Sequence, residues 1–324
     1  MSRVLEELEK RIAVLRKEGR DREIEPLLVR AVRLAEREHG ERHPAHATLL
    51  NDLGGLYRTT GRYPEAEDCF LRAREILAEA VGTSDAGYAT CVNNLAGLYR
   101  LTGDFERGEK LFLEASGAYA ASVGERHFLF ASNLNNLALL YQDMGRFDEA
   151  VALQQRALDI VRVTSGDGTP SYATSLSNLA ATWMAKGDLA QAERALQRAL
   201  EIFRATTTTD DLRHFSALGA LAGLLCRKGR YEESATLYEE VLEICKNRWG
   251  TEHPSYATSL VNLGIARVAM GRSDEAEPCY RQALDIRRRM LGEQHPSTID
   301  LEKTLTTLCE AMQRRRGAGA SDAK

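Results

Sequence analysis

Apolar positions recur along this chain with the spacing of amphipathic helices that come in pairs. Residues 124–165 show it most plainly. Leu134, Leu137, Ala138 and Tyr141 lie at helical spacing, and after Gly145 so do Phe147, Ala150, Ala157, Leu158 and Ile160. Steps of three and four keep residues on one helix face, so the segment predicts a helix A, a tight turn and a helix B. The pattern returns every 42 residues, in blocks starting at Gly40, Gly82, Gly124, Gly166, Thr208 and Gly250. The turn glycine recurs at 61, 103, 145, 187, 229 and 271, and in register at Gly19. Residues 1–39 therefore predict a degenerate further repeat. A second glycine closes helix B at 40, 82, 124, 166, 250 and 292, and proline opens the next helix at 44, 170, 254 and 296. Glycine past a helix end and proline in the first turn are the expected punctuation.

Small residues fill fixed columns: Gly54, Ala96, Ala138, Ala180, Ala222 and Gly264 in helix A, and Ala66, Gly108, Ala150, Ala192, Ser234 and Ala276 in helix B. Larger columns stand beside them, Leu53 to Leu263 and Tyr57, Tyr99, Tyr141, Trp183 and Leu225. Small and large columns let neighbouring helices interlock. One helix pair cannot bury its own face, so stacking must supply the core. The prediction is a degenerate repeat at 1–39, six units over 40–291, and a capping helix at 292–313 with Leu301, Leu305 and Leu308 inward. Residues 314–324, RRRGAGASDAK, predict a disordered tail.

These columns, with Gly-Glu-x-His-Pro between repeats, resemble the tetratricopeptide repeat (TPR) in its kinesin-light-chain-like form of 42 residues. Residues 250–296 fit that pattern almost throughout. Arg267 departs from it in place of a large apolar residue, and Ser273 in place of the turn aromatic. The resemblance implies an all-α, right-handed superhelix whose A helices line a concave surface. It implies an interaction scaffold rather than an enzyme.

One stripe on helix A bears on binding. Thr48, Thr90, Ser132, Thr174, Ser216 and Thr258 form one column, and Asp52, Asn94, Asn136, Asn178, Ala220 and Asn262 lie four residues on. Asn, Thr and Ser are poorer helix formers than Glu and Lys, so their repeated use on one face needs a cause. One cause is a groove. An Asn side chain offers an acceptor and two donors, which suits the backbone of an extended peptide. The resemblance places peptide-backbone contacts at Asn94, Asn136, Asn178 and Asn262, flanked by Asn93, Asn135, Arg58, Arg100 and Gln142. The other cause is hydrogen bonding between adjacent A helices. Lys10, Arg16, Arg58 and Arg100 on or near this face point either to an acidic protein or peptide partner or to ordinary surface arginines.

Composition excludes more than it assigns. A formal net charge of −4 gives no drive toward nucleic acid or membrane. No 18-residue apolar run is present, and the N-terminus lacks the apolar core of a signal peptide. The six cysteines form no CxxC, which suits reduced, mostly buried thiols and a cytoplasmic location. The Ala-, Arg- and Gly-rich repeats suggest a bacterial source. No metal, cofactor or catalytic constellation is expected. His43, His253 and His295 recur with the repeat, which points to loop packing. Arg287–Arg289 and Arg314–Arg316 fit helix C-termini. The run Thr206–Thr209 stands where other joints carry glycine. It predicts either a hinge at 206–212 or an alternative cap at Asp210 or Asp211. Two further roles stay open: regulation in trans of a caspase-like CHAT protease or other effector, and sensing of a signalling peptide.

Overall fold

A computed structural model describes residues 3–18, 20–207 and 211–321. The A helices are α1 (Arg3–Glu18), α3 (Pro44–Thr59), α5 (Ala86–Thr102), α7 (Phe128–Asp143), α9 (Pro170–Lys186), α11 (Leu212–Arg227), α13 (Pro254–Ala269) and α15 (Pro296–Ser321). The B helices are α2 (Asp21–His39), α4 (Tyr63–Ala80), α6 (Phe105–Ser122), α8 (Phe147–Ser165), α10 (Leu189–Thr206), α12 (Tyr231–Trp249) and α14 (Ser273–Leu291). The described chain is thus seven A–B pairs and a final helix. Each B helix begins within four residues of its A helix, and both glycine columns have positive φ, from 74° at Gly145 to 94° at Gly187. Only glycine takes that conformation without a Cβ penalty. At Gly103 the turn closes with Asp104 N donating to Tyr99 O at 2.9 Å, the bond that ends a helix in a left-handed cap. The turn expected at Gly19 lies outside the described residues.

From α3 onward the A helices start on side-chain caps. Asp85 Oδ1 accepts from Gly87 N at 2.7 Å, and Asp211 Oδ1 accepts from Arg213 N at 2.8 Å. The recurring histidines serve the same purpose. The Nδ1 atoms of His43, His127, His253 and His295 accept from the backbone N–H two residues on, at 3.1–3.3 Å. They are helix caps and more than the loop packing expected of them. Asp211 confirms the capping alternative at that joint, and residues 208–210 of the expected hinge lie outside the described residues. The last helix runs to Ser321, past the expected end at Gln313. Arg and Ala are good helix formers and Arg314 pairs with Glu310 at 3.2 Å, so the helix continues through the segment expected to be disordered as far as Ser321.

The chain divides into two compact units, residues 1–166 and 167–324. In the first, Phe70, Phe112 and Tyr119 are fully buried among the alanine columns. Gly54 allows the Phe70 ring to approach; a Cβ there would lie 2.8 Å from it. In the second, Gly264 sits under Tyr280, and Leu301 and Leu305 of α15 close the core. Neighbouring A helices touch within each unit, so their outer faces form shared surfaces.

Candidate functional site

The amide stripe of the first unit lies on α3, α5 and α7, and the structure links it across repeats. Asn94 Nδ2 donates to Asn51 Oδ1 at 3.0 Å, and Asn136 Nδ2 donates to Asn93 Oδ1 at 3.1 Å. All four amides are half-buried, as are Asn135 and Gln142. Adjacent A helices are therefore joined by side-chain amides, as the second reading of the stripe expected. The joining uses one donor and one acceptor per pair. Each pair keeps three N–H donors and one carbonyl oxygen for another polar chain.

The threonine column has a local explanation that the sequence reading missed. The hydroxyls of Thr48, Thr90, Thr174 and Thr258 donate to the carbonyl four residues earlier, at 2.8–3.1 Å. Their donors are spent on their own helix. Thr90 also accepts from Tyr119 of α6 at 3.0 Å, so this column faces partly inward. In the second unit the amide joint is not repeated. Ser177, Gly219 and Val261 occupy the column of Asn51, Asn93 and Asn135, leaving Asn178 exposed and Asn262 half-buried.

Charge separates the two arginines. Arg100 Nη1 pairs with Asp143 of the next A helix at 2.7 Å, and Arg16 pairs with Asp52 in the same manner at 3.1 Å. Arg58 holds the same repeat position as Arg100, but Leu101 stands where the carboxylate would be. The Arg58 guanidinium packs instead against Gly97, where an added Cβ would lie 2.8 Å from Nη1. Burial lowers its pKa, and the nearby Arg100 charge lowers it further. Among the described residues no carboxylate reaches it. A half-buried cation without a counter-ion therefore stands on this face, with the exposed Leu101 at the position of the missing carboxylate.

The remaining features are structural. The arginines at 287–289 are occupied: Arg287 by Ser297 O, Arg288 by Glu302 and Arg289 by Glu252. Burial pushes the Cys69 thiol up to about 11 and the Cys91 thiol up to about 12, away from nucleophilic use. Among the described residues no group of three or more His, Cys, Asp or Glu side chains could hold a metal ion. None of the described helices is long and apolar enough to cross a membrane.

The tetratricopeptide repeat profile matches residues 6–79, 55–121, 129–205, 213–289 and 262–318. The chain belongs to the tetratricopeptide repeat family. Its solved neighbours place this TPR protein in the kinesin-light-chain-like type. BtubC (BKLC) of P. vanneervenii is 26% identical with a TM-score of 0.63, over 73% of this chain and 93% of that one. A Podosopora anserina protein named for the kinesin light chain, with nearly identical TPR-like repeats, is 25% identical with a TM-score of 0.55, over 61% and 94%. A tetratricopeptide repeat protein of Parabacteroides merdae shares the fold at 17% identity and TM-score 0.56, over 95% and 100%. No curated protein matches the chain. Its TPR repeats make it a protein–protein interaction scaffold.

Proposed function

We propose that this scaffold holds an extended acidic segment of a partner protein against the A helices of its first unit. Arg58 carries the proposal. An arginine that is half-buried, lacks a counter-ion and lies beside a second arginine is costly to the free protein. A carboxylate from a partner relieves that cost and gains a charge-assisted hydrogen bond. The amides left over on Asn51, Asn93, Asn94 and Asn136 supply donors and acceptors for the ligand backbone. Leu101 offers an apolar contact next to the charge. Asn135, Gln142 and Arg100 border the same face. Asn178 and Asn262 belong to the second unit and are given no part in this contact.

Selection from a random peptide display library tests this. Peptides enriched on the wild-type protein are expected to carry Asp or Glu and to be lost on Arg58→Met at unchanged helix content. Enrichment of peptides without an acidic residue, or equal recovery on the variant, would sink the proposal.

A further inference from the structure

The tyrosine column walls the crevice between consecutive B helices. In the first unit each of its rings is covered by a guanidinium. Arg62 lies 4.1 Å from the Tyr57 centroid, Arg107 4.3 Å from Tyr99, and Arg146 3.9 Å from Tyr141. The hydroxyls of Tyr99 and Tyr141 donate to Glu67 and Glu109 of the preceding B helix, at 2.6 and 2.8 Å. Ring, guanidinium and carboxylate thus fill the joint together.

One joint of the second unit lacks the ring and keeps the rest. Leu225 of α11 stands at the tyrosine position. Arg230 occupies the place of Arg62 and Arg146 and pairs with Glu193, as Arg146 pairs with Glu109. Lys228 also reaches Glu193 and takes over the role of the phenol hydroxyl. The polar half of the tyrosine has been replaced and its ring has not. A crevice of about 600 Å³ remains between α10 and α12. Leu221 and Leu225 floor it, Leu200 and Leu237 wall it, and Arg230 edges it. The corresponding crevice between α2 and α4 keeps Tyr57 and measures about 360 Å³. Among the described residues no ring lies beneath Arg230.

We infer that this crevice receives an aromatic side chain from a polypeptide partner. The repeat supplies the template, because a ring attached to a backbone fills the equivalent space three times in the same molecule. The chemistry favours a neutral ring over a charged group. Arg230 is already paired with Glu193 and Glu233, and Arg204 with Glu240 at 3.2 Å. Leu200, Leu221 and Leu225 are already buried and Leu237 is half-buried, so what the crevice lacks is a π-face for the guanidinium and an apolar cover over the edge of Leu237. The site lies between B helices of the second unit over the inward side of α11, uses no residue of the acidic-segment proposal, and stands whether or not that proposal does.

The test titrates the protein with N-acetyl-tyrosinamide, N-acetyl-tryptophanamide and N-acetyl-leucinamide while following leucine methyl resonances. The aromatic amides are expected to give saturable shifts centred on Leu200, Leu221, Leu225 and Leu237, with millimolar affinity. The leucine amide is expected to bind at least tenfold more weakly. Leu225→Tyr is expected to remove the aromatic shifts by occupying the space, and Leu225→Phe to do the same if the tyrosine variant misfolds. Shifts that persist in the folded variants, equal binding of the leucine amide, or no saturable shift on these methyls would each overturn the inference.

Discussion

The Arg58 environment makes a prediction in which stability and binding move in opposite directions. Arg58→Met keeps an unbranched apolar stem over Gly97 and removes the charge. Met184 holds the same repeat position in the second unit, so the residue suits this helix face. Met and Arg have nearly equal helix propensity, so the backbone term cancels. What remains is relief of the burial cost of Arg58 and of its repulsion by Arg100. Charge interactions at partly exposed sites amount to about 0.2–1 kcal/mol. With no ion pair lost, the variant is expected to gain about 0.5–1 kcal/mol. For a chain of 324 residues that corresponds to a Tm rise of about 0.7–1.5 °C. Thermal unfolding by circular dichroism at low ionic strength reads it directly. Sulfate, added against chloride at equal ionic strength, should raise the wild-type Tm more than that of the variant, because the variant lacks the uncompensated Arg58 cation. A variant that melts lower than wild type, with an unchanged sulfate effect, would show that Arg58 is a structural residue already satisfied by its surroundings.

Five further outcomes follow from particular positions. Substituting Asn94 and Asn136 together by Ala removes both amide bridges and is expected to cost about 1–3 kcal/mol in denaturant unfolding, so peptide binding by that variant must be measured well below its transition. His295→Asp places at the α15 start the residue that caps α5 from Asp85, and should raise stability by about 0.5–1 kcal/mol. Gly264→Ala drives a Cβ to 2.5 Å from the buried Tyr280 ring, and overpacking should outweigh the gain of about 1 kcal/mol in helix propensity. Gly117→Ala on α6 meets nothing within 4 Å and should keep that gain. His214 is buried with both ring nitrogens unpartnered, and burial lowers its pKa from 6.5 against the opposing fields of Glu240 and Asp211 and the reinforcing field of Arg204. The unfolded chain therefore takes up the proton first as pH falls, so stability is full above 6.5 and declines below it. His214→Phe, matching Phe130 in the same column, should flatten that decline in a pH series of denaturant titrations.

Much of this fold is legible along the chain because its information is local. A glycine with positive φ, a proline in the first turn and a column of small residues each act within a few positions, and a 42-residue period repeats them. The amide stripe was visible for the same reason, since four residues make one face. What could not be read was which of its two causes operates. The Asn94–Asn51 bridge spans 43 residues, and its formation depends on how closely α3 and α5 pack. The carboxylates that hold the tyrosines were missed altogether. Glu67 and Glu109 are ordinary residues on the outer side of a B helix until the next repeat folds against them. The histidine caps are hard to read in the sequence because an imidazole is an uncommon cap; the regular His-Pro spacing is the available signal. Arg58 differs from Arg100 through a single absent carboxylate, a difference that exists only once Leu101 and Asp143 are aligned across repeats.

The tyrosine joints also give the array a direction. Each takes its ring and guanidinium from one repeat and its carboxylate from the repeat before, as Arg62 does with Glu25, Tyr99 with Glu67 and Tyr141 with Glu109. Cutting such a joint is therefore not symmetric. Loss of the later repeat leaves a glutamate on an exposed helix, which water solvates readily. Loss of the earlier one leaves a phenol and a guanidinium shaped around a carboxylate that has gone. Shortening the protein stepwise from its C-terminal side should thus be gentler than shortening it from the N-terminal side, and fraying should follow the same polarity.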